Sequence, residues 1–213
     1  MRYRLVAFDM DGTLLLAKSC WRIIHQRFGT IEEARKNLWA YESGLIDYRE
    51  FMRRDIALWR PKPTIDEIKS ILSSYTLAPN VRQLVGEIIR RGFQTAIITG
   101  GLDVLANEVA RELGIPHVIA NGLELDGSGH LTGEGILRVE PRHKDENLAQ
   151  LAEALGISLE ECVAVGDGKY DVSFLKKAGL GVAVGKDPEL GRIADVVIED
   201  FDHFPRLLDY LRK

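Results

Sequence analysis

Hydrophobic positions fall into two regimes along the chain. Residues 3–8, Tyr-Arg-Leu-Val-Ala-Phe, are nearly all apolar and β-prone, the pattern of a strand buried on both faces. The polar cluster Asp9-Met10-Asp11-Gly12-Thr13 ends it. From residue 19 to 73, apolar residues recur instead at helical spacing, as in Trp21, Ile24, Phe28 and again in Phe51, Met52, Ile56, Trp59. Breaks at Gly29-Thr30, Ser43-Gly44 and Pro61-Lys62-Pro63-Thr64 divide this stretch into four predicted helices with no strand.

From residue 79 the pattern alternates. A helix is predicted from Pro79 to Arg91-Gly92, then a strand over 93–98 stopped by Thr99-Gly100-Gly101. A helix to about Gly114 and a strand over 117–120 follow. Residues 124–135 contain Asp126-Gly127-Ser128-Gly129 and read as a hairpin. Next come a helix from Lys144 to Leu155 and a strand over 162–165 that ends in Gly166-Asp167-Gly168. A short helix, strands at 181–184 and 196–198, and a helix over 203–212 complete the chain. Alternating strands and helices predict an α/β fold with a parallel sheet. In such sheets a ligand site lies beyond the carboxyl ends of the strands, where the three polar clusters fall.

At 213 residues the chain suits one domain with a smaller insert, expected as a core of 1–14 and 79–213 around an all-helical segment of 15–78. Charge supports that division. The net charge is −4, but 15–78 carries +3 and the rest −7, and all three tryptophans lie in 15–78. Those tryptophans serve either the packing of the insert or a substrate-facing apolar wall. An acidic body argues against nucleic acid as the main partner. No apolar run approaches the roughly 20 residues of a membrane span, and residues 1–5 lack a signal peptide's apolar core, so a cytoplasmic location is expected. Cys20 and Cys162 lack metal-ligand spacing and are expected to be reduced structural thiols. The five histidines show no partner pattern, and no interface signature reveals the oligomeric state.

Chemistry is concentrated in the polar clusters. Asp9 and Asp11, two apart at a strand end, point to one side. With Asp167 and Asp171 they would place four carboxylates in one crevice, which requires a cation; oxygen-only ligands favour Mg²⁺. A carboxylate there can attack phosphorus and form an aspartyl-phosphate, with a second carboxylate as proton donor and acceptor. Thr99 with the amides of Gly100 and Gly101 suits phosphate oxygens at a helix start. Lys144 begins a helix, where the macrodipole disfavours a cation, so it is expected to reach an anion.

Together, Phe8-Asp9-Met10-Asp11-Gly12-Thr13, Thr99-Gly100-Gly101, Lys144 and Gly166-Asp167-Gly168-Lys169-Tyr170-Asp171 resemble the four ordered motifs of the haloacid dehalogenase superfamily, in its phosphoserine-phosphatase-like branch. The resemblance covers the whole chain. It implies a Rossmann-like core with a helical cap and a small β-hairpin. It further implies an Mg²⁺-dependent phosphatase acting on a small phosphorylated metabolite. Asp9 maps to the nucleophile and Asp11 to the general acid/base, whose main-chain carbonyl also ligates the metal. Thr99, Gly100 and Lys144 map to phosphate binding, and Asp167 and Asp171 to metal binding. A carboxylate at position 11 distinguishes this chain from family ATPases, dehalogenases and phosphonatases. A phosphomutase acting on a sugar phosphate, or a non-catalytic module holding Mg²⁺ and phosphate, are the alternatives.

Three positions depart from the branch. Lys18 stands where a Glu is typical for the substrate ammonium. The Arg that binds the substrate carboxylate aligns near Arg53 or Arg54, with Asp55 the best gapless match. Tyr170 replaces a usual Asn. The reversed charges point away from phosphoserine and toward a substrate with an anionic or hydroxyl group near Lys18, with Arg53 and Arg54 as cap candidates.

Overall fold

A computed structural model describes residues 2–211. The chain opens with β1 (Leu5–Phe8), fully buried along its length. Four helices follow: α1 (Cys20–Phe28), α2 (Ile31–Glu42), α3 (Tyr48–Ala57) and α4 (Ile65–Leu72). Three of the four starts are locally capped. The Ser19 and Asp47 side chains accept from the amides of Arg22 and Glu50. Thr64 and Glu67 form a reciprocal capping box.

The alternating part comprises α5 (Val81–Arg90), β2 (Gln94–Leu102), α6 (Asp103–Leu113), β3 (His117–Leu125), β4 (Leu131–Ile136), α7 (Lys144–Ala154), β5 (Cys162–Gly166), α8 (Val172–Lys177), β6 (Leu180–Val184), α9 (Pro188–Ile193), β7 (Val196–Ile198) and α10 (Leu207–Tyr210). The seven strands form one sheet in the order β4-β3-β2-β1-β5-β6-β7, parallel except for the antiparallel β3–β4 hairpin. β1 is central, and the chain builds outward from it first through β2 and β3, then through β5, β6 and β7. That reversal makes the switch point at which doubly wound sheets bind ligands.

Three expectations need correction. β2 does not stop before Thr99 but continues to Leu102, with a shift in its register to β3 between Thr99 and Leu102. β3 likewise runs on to Leu125, because β4 gives its second half a partner. The end of the chain is a 3-10 segment over Phe201–Arg206 before α10 begins; Pro205, which has no N–H to donate, lies inside it. Residue 212 of the expected helix lies outside the described residues. The periodicity did not reveal α9.

Buried side chains form two groups, one on each side of the sheet. The larger one runs without interruption from Phe8, Val163 and Phe204 of the sheet side into Trp21, Ile24, Phe51, Met52, Trp59 and Ile68 of α1–α4. The helical insert therefore shares its apolar core with the sheet. The β3–β4 hairpin adds a second tie, since Ile65 N donates to Gly129 O at 3.1 Å and Leu131 N to Pro63 O at 3.0 Å.

A shared core predicts a single unfolding transition. Because every tryptophan lies in the insert, tryptophan fluorescence should track far-UV circular dichroism through the same denaturant midpoint; an earlier fluorescence transition would mean that the insert melts alone. Trp59 is fully buried, so Trp59→Ala should lower stability by about 3–5 kcal/mol in the same experiment.

Candidate active site

The ends of β1, β2 and β5 and the start of α7 meet in one crevice. Asp9 follows β1 directly, and its amide donates to Val165 O at 2.8 Å, extending the β1–β5 pairing by one residue. The chain then turns tightly, with the amides of Leu14 and Leu15 both donating to Met10 O at 3.0 Å. Gly12 sits in this turn at φ +88°, and a Cβ there would lie 2.4 Å from Asp167 Oδ2. Conformation and space both demand glycine at this point.

Lys144, the first residue of α7, is 3% exposed. Its Nζ donates to Asp9 Oδ1 at 2.5 Å and to Asp171 Oδ1 at 2.8 Å. The other oxygen of Asp171 accepts from the amides of Asp167 and Gly168, each at 3.1 Å. Gly166 makes room for that carboxylate, since a Cβ there would lie 2.4 Å from Asp171 Cγ. Asp167 accepts from Thr13 Oγ1 at 3.2 Å and pairs with Lys18.

Burial sets the electrostatics. Desolvation pushes the Asp9 carboxyl well above its ordinary range; Lys144 opposes this, while Asp171 and Asp167 add to it. Asp167 is also raised, mainly by burial, with Lys18 opposing. Burial alone would lower Lys144, but the charges of Asp171 and Asp9 outweigh it and hold the ammonium protonated. One oxygen from each of Asp9, Asp167 and Asp171 lies within 4.8 Å of the others. Such a donor set, all carboxylate oxygen, fits a hard divalent cation.

Asp11 is placed differently. Its Oδ2 accepts from Cys20 N at 2.9 Å, and its Oδ1 is buried without a hydrogen-bond partner. Burial pushes its pKa from 3.8 up to about 6, against the hydrogen bonds from Cys20. It can therefore take up and release a proton close to neutrality and present it from an uncommitted oxygen.

Thr99 and the two glycines lie within β2, and α6 begins only at Asp103, so the expected loop leading straight into a helix is absent. Thr99 Oγ1 accepts from Gly101 N at 3.0 Å, which leaves the hydroxyl proton to donate elsewhere. Gly100 O accepts from Tyr48 Oη at 2.9 Å, Asn121 Nδ2 at 3.1 Å and Trp21 Nε1 at 3.3 Å.

A cavity of about 470 Å³ opens over these groups, and Asp9, Asp11, Thr99, Gly100, Lys144, Asp167 and Asp171 all reach its wall. Lys18 also lines it. Arg53 and Arg54 do not; both pair with Glu50 at 2.7 Å on the exposed side of α3. Asp55 is buried, bonded to His25 and Asn37. Trp21 reaches the wall, as one of the two readings of the tryptophans allowed, but sequence reasoning missed Tyr41, Tyr48 and Phe51 beside it. Their helical spacing is that of core residues, and no local signal separates the two roles.

A model of the haloacid dehalogenase-like hydrolase family matches residues 6–176. The phosphoserine phosphatase of Methanocaldococcus jannaschii is 32% identical over 211 residues, 98% of each chain. That of Archaeoglobus fulgidus is 30% identical over 193 residues, 90% of this chain but 55% of its own. Among solved structures, a phospho-aspartyl intermediate analogue of phosphoserine phosphatase superimposes with a TM-score of 0.84 at 31% identity, covering 99% of both chains. A substrate-bound phosphoserine phosphatase complex gives 0.84 at 30% identity, again over 99% of both.

The raised pKa of Asp11 has a stability consequence. Between about pH 4 and pH 6 the folded state retains a proton that the unfolded state has lost, so the contribution present below pH 4 disappears as pH rises through 6. Metal-free Asp11→Asn should therefore gain on the wild type across this window, by up to about 3 kcal/mol in urea unfolding. A constant difference would place the shift elsewhere.

Proposed function

The chain belongs to the haloacid dehalogenase-like hydrolase family, and on that premise we propose that it hydrolyses small phosphomonoesters through an acyl phosphate on Asp9. The observation that carries this reading is the buried Asp9 carboxylate, oriented by Lys144 at 2.5 Å, with Asp11, whose carboxyl exchanges its proton close to neutrality, two residues on.

Asp9 attacks phosphorus and the ester P–O bond breaks. Asp11 gives its proton to the departing alkoxide oxygen, so the alcohol leaves neutral. Asp11, now ionised, takes a proton from water as that water attacks the phosphorus. The P–O bond to Asp9 then breaks, releasing inorganic phosphate and restoring both carboxyl groups. Lys144 offsets the negative charge that one anion meets when it attacks another, and Thr99 supplies a hydroxyl donor to a phosphoryl oxygen. Asp9, Asp167 and Asp171 would hold Mg²⁺, with the main-chain carbonyl of Asp11 as a further ligand. When bound, the ion neutralises phosphoryl charge and fixes its orientation. Residues 15–78 act as the cap that covers the crevice and excludes bulk water from the acyl phosphate.

With Mg²⁺ present, phosphate release from p-nitrophenyl phosphate should be readily measured, and EDTA should abolish it. Asp9→Asn should reduce it by at least about 1000-fold. Full activity in Asp9→Asn would overturn the mechanism. Millimolar Mg²⁺ should also raise the midpoint of thermal unfolding in the wild type and do so less in Asp167→Asn.

A further inference from the structure

We infer that the leaving group accepted by this site is an apolar, ring-bearing alcohol. The inference rests on the phosphatase reading above and extends it to the substrate class.

Aromatic side chains make the wall facing the reacting groups. Trp21 comes from α1, Tyr41 from α2, and Tyr48 and Phe51 from α3. Their rings form a continuous surface, with centroids 5.1 Å apart for Tyr41–Tyr48 and Tyr48–Phe51 and 5.9 Å for Trp21–Phe51. Their donors are already engaged. Trp21 and Tyr48 both donate to Gly100 O, and Tyr41 donates to Glu140. What they offer the cavity is ring carbon. Ile31, Ala34 and Leu38 of α2 extend this lining. A pocket of about 470 Å³ is ample for a phosphoryl group and one ring.

An amino-acid leaving group needs an anion for its ammonium. Outside the reacting carboxylates, Asp55 is the one acidic side chain on the cavity wall among the described residues, and it is 2% exposed. Its Oδ1 accepts from Asn37 at 2.8 Å and its Oδ2 faces His25 Nε2 at 3.0 Å. His25 Nδ1 receives the Trp59 indole N–H at 3.3 Å and lies 2.8 Å from Thr30 Oγ1. With Nδ1 an acceptor, Nε2 carries the hydrogen and donates to Asp55. Asp55 thus serves a buried network inside the insert. The other ionic side chains on this wall are cations: besides Lys144, these are Lys18 on Asp167, Arg35 on Glu32, Lys169 on Glu42, and Arg22 at the exposed rim. An ammonium entering here would meet rings and positive charge.

The test compares esters of alcohols that are all poor leaving groups, so intrinsic reactivity does not decide the ranking. Phosphate release is measured with Mg²⁺ from benzyl phosphate, ethyl phosphate and O-phospho-L-serine. The expected result is a kcat/KM for benzyl phosphate at least tenfold above both others. Leu38→Asp, a change at a partly exposed wall position, should lower the benzyl value at least fivefold. Phosphoserine equal to or better than benzyl phosphate would overturn the inference. If no ester is cleaved, p-nitrophenyl phosphate included, the hydrolase reading fails, and the pocket is judged by calorimetry alone. Benzylphosphonate binding at least tenfold tighter than methylphosphonate would then support the apolar site, and equal affinity would overturn it.

Discussion

One buried cation holds the site together. Lys144 lies between Asp9 and Asp171, beneath a crevice that also contains Asp167 and Asp11. Taking these carboxylates out of water is costly, and one buried ammonium, with the exposed Lys18 on Asp167, does not balance four of them. The remaining strain appears in the raised pKa values of Asp9, Asp11 and Asp167. The same imbalance makes the crevice fit for a divalent cation and a phosphoryl group. Removing Lys144 would leave two buried carboxylates facing each other, so this interaction serves folding and chemistry together.

The surrounding backbone is shaped to permit that crowding. Gly12 and Gly166 leave space that the carboxylates of Asp167 and Asp171 fill. At Gly100 a Cβ would lie 2.7 Å from Pro141 Cγ, so the absence of a side chain lets β2 approach the segment leading into α7. The carbonyl of the same residue accepts from Trp21, Tyr48 and Asn121, which joins the helical insert, the sheet and the crevice floor at one atom. The aromatic wall is therefore positioned by the strand that carries Thr99.

Legibility in the sequence followed the range of the interactions. The four insert helices could be read from period and breakers, and Ser19, Asp47 and Thr64 cap three of them within three residues. The extension of β2 through Thr99-Gly100-Gly101 could not, since glycines signal a turn, and only the pairing of β3 with Thr99 before them and Leu102 after them carries the strand across. Which aromatic residues reach the cavity was equally hidden. Trp21 and Trp59 share the same helical spacing, yet one reaches the cavity and the other is sealed in the core. Arg53 and Arg54 looked available as cap cations, but Glu50, three and four residues away on the same helix, takes both.

The sequence by itself determined the alternation of strands and helices, the place of the insert, and the four clusters carrying acid, hydroxyl and lysine. These depend on side-chain period, local capping and residue chemistry, which act over a few neighbours. Only the tertiary structure decided that Lys144 meets Asp9 across 135 positions of chain, that Asp11 is left with an uncommitted buried oxygen, and that Asp55 turns into a network with His25. Burial and long-range contact set the charge state and direction of each of these groups, and neither is a property of a short stretch of sequence.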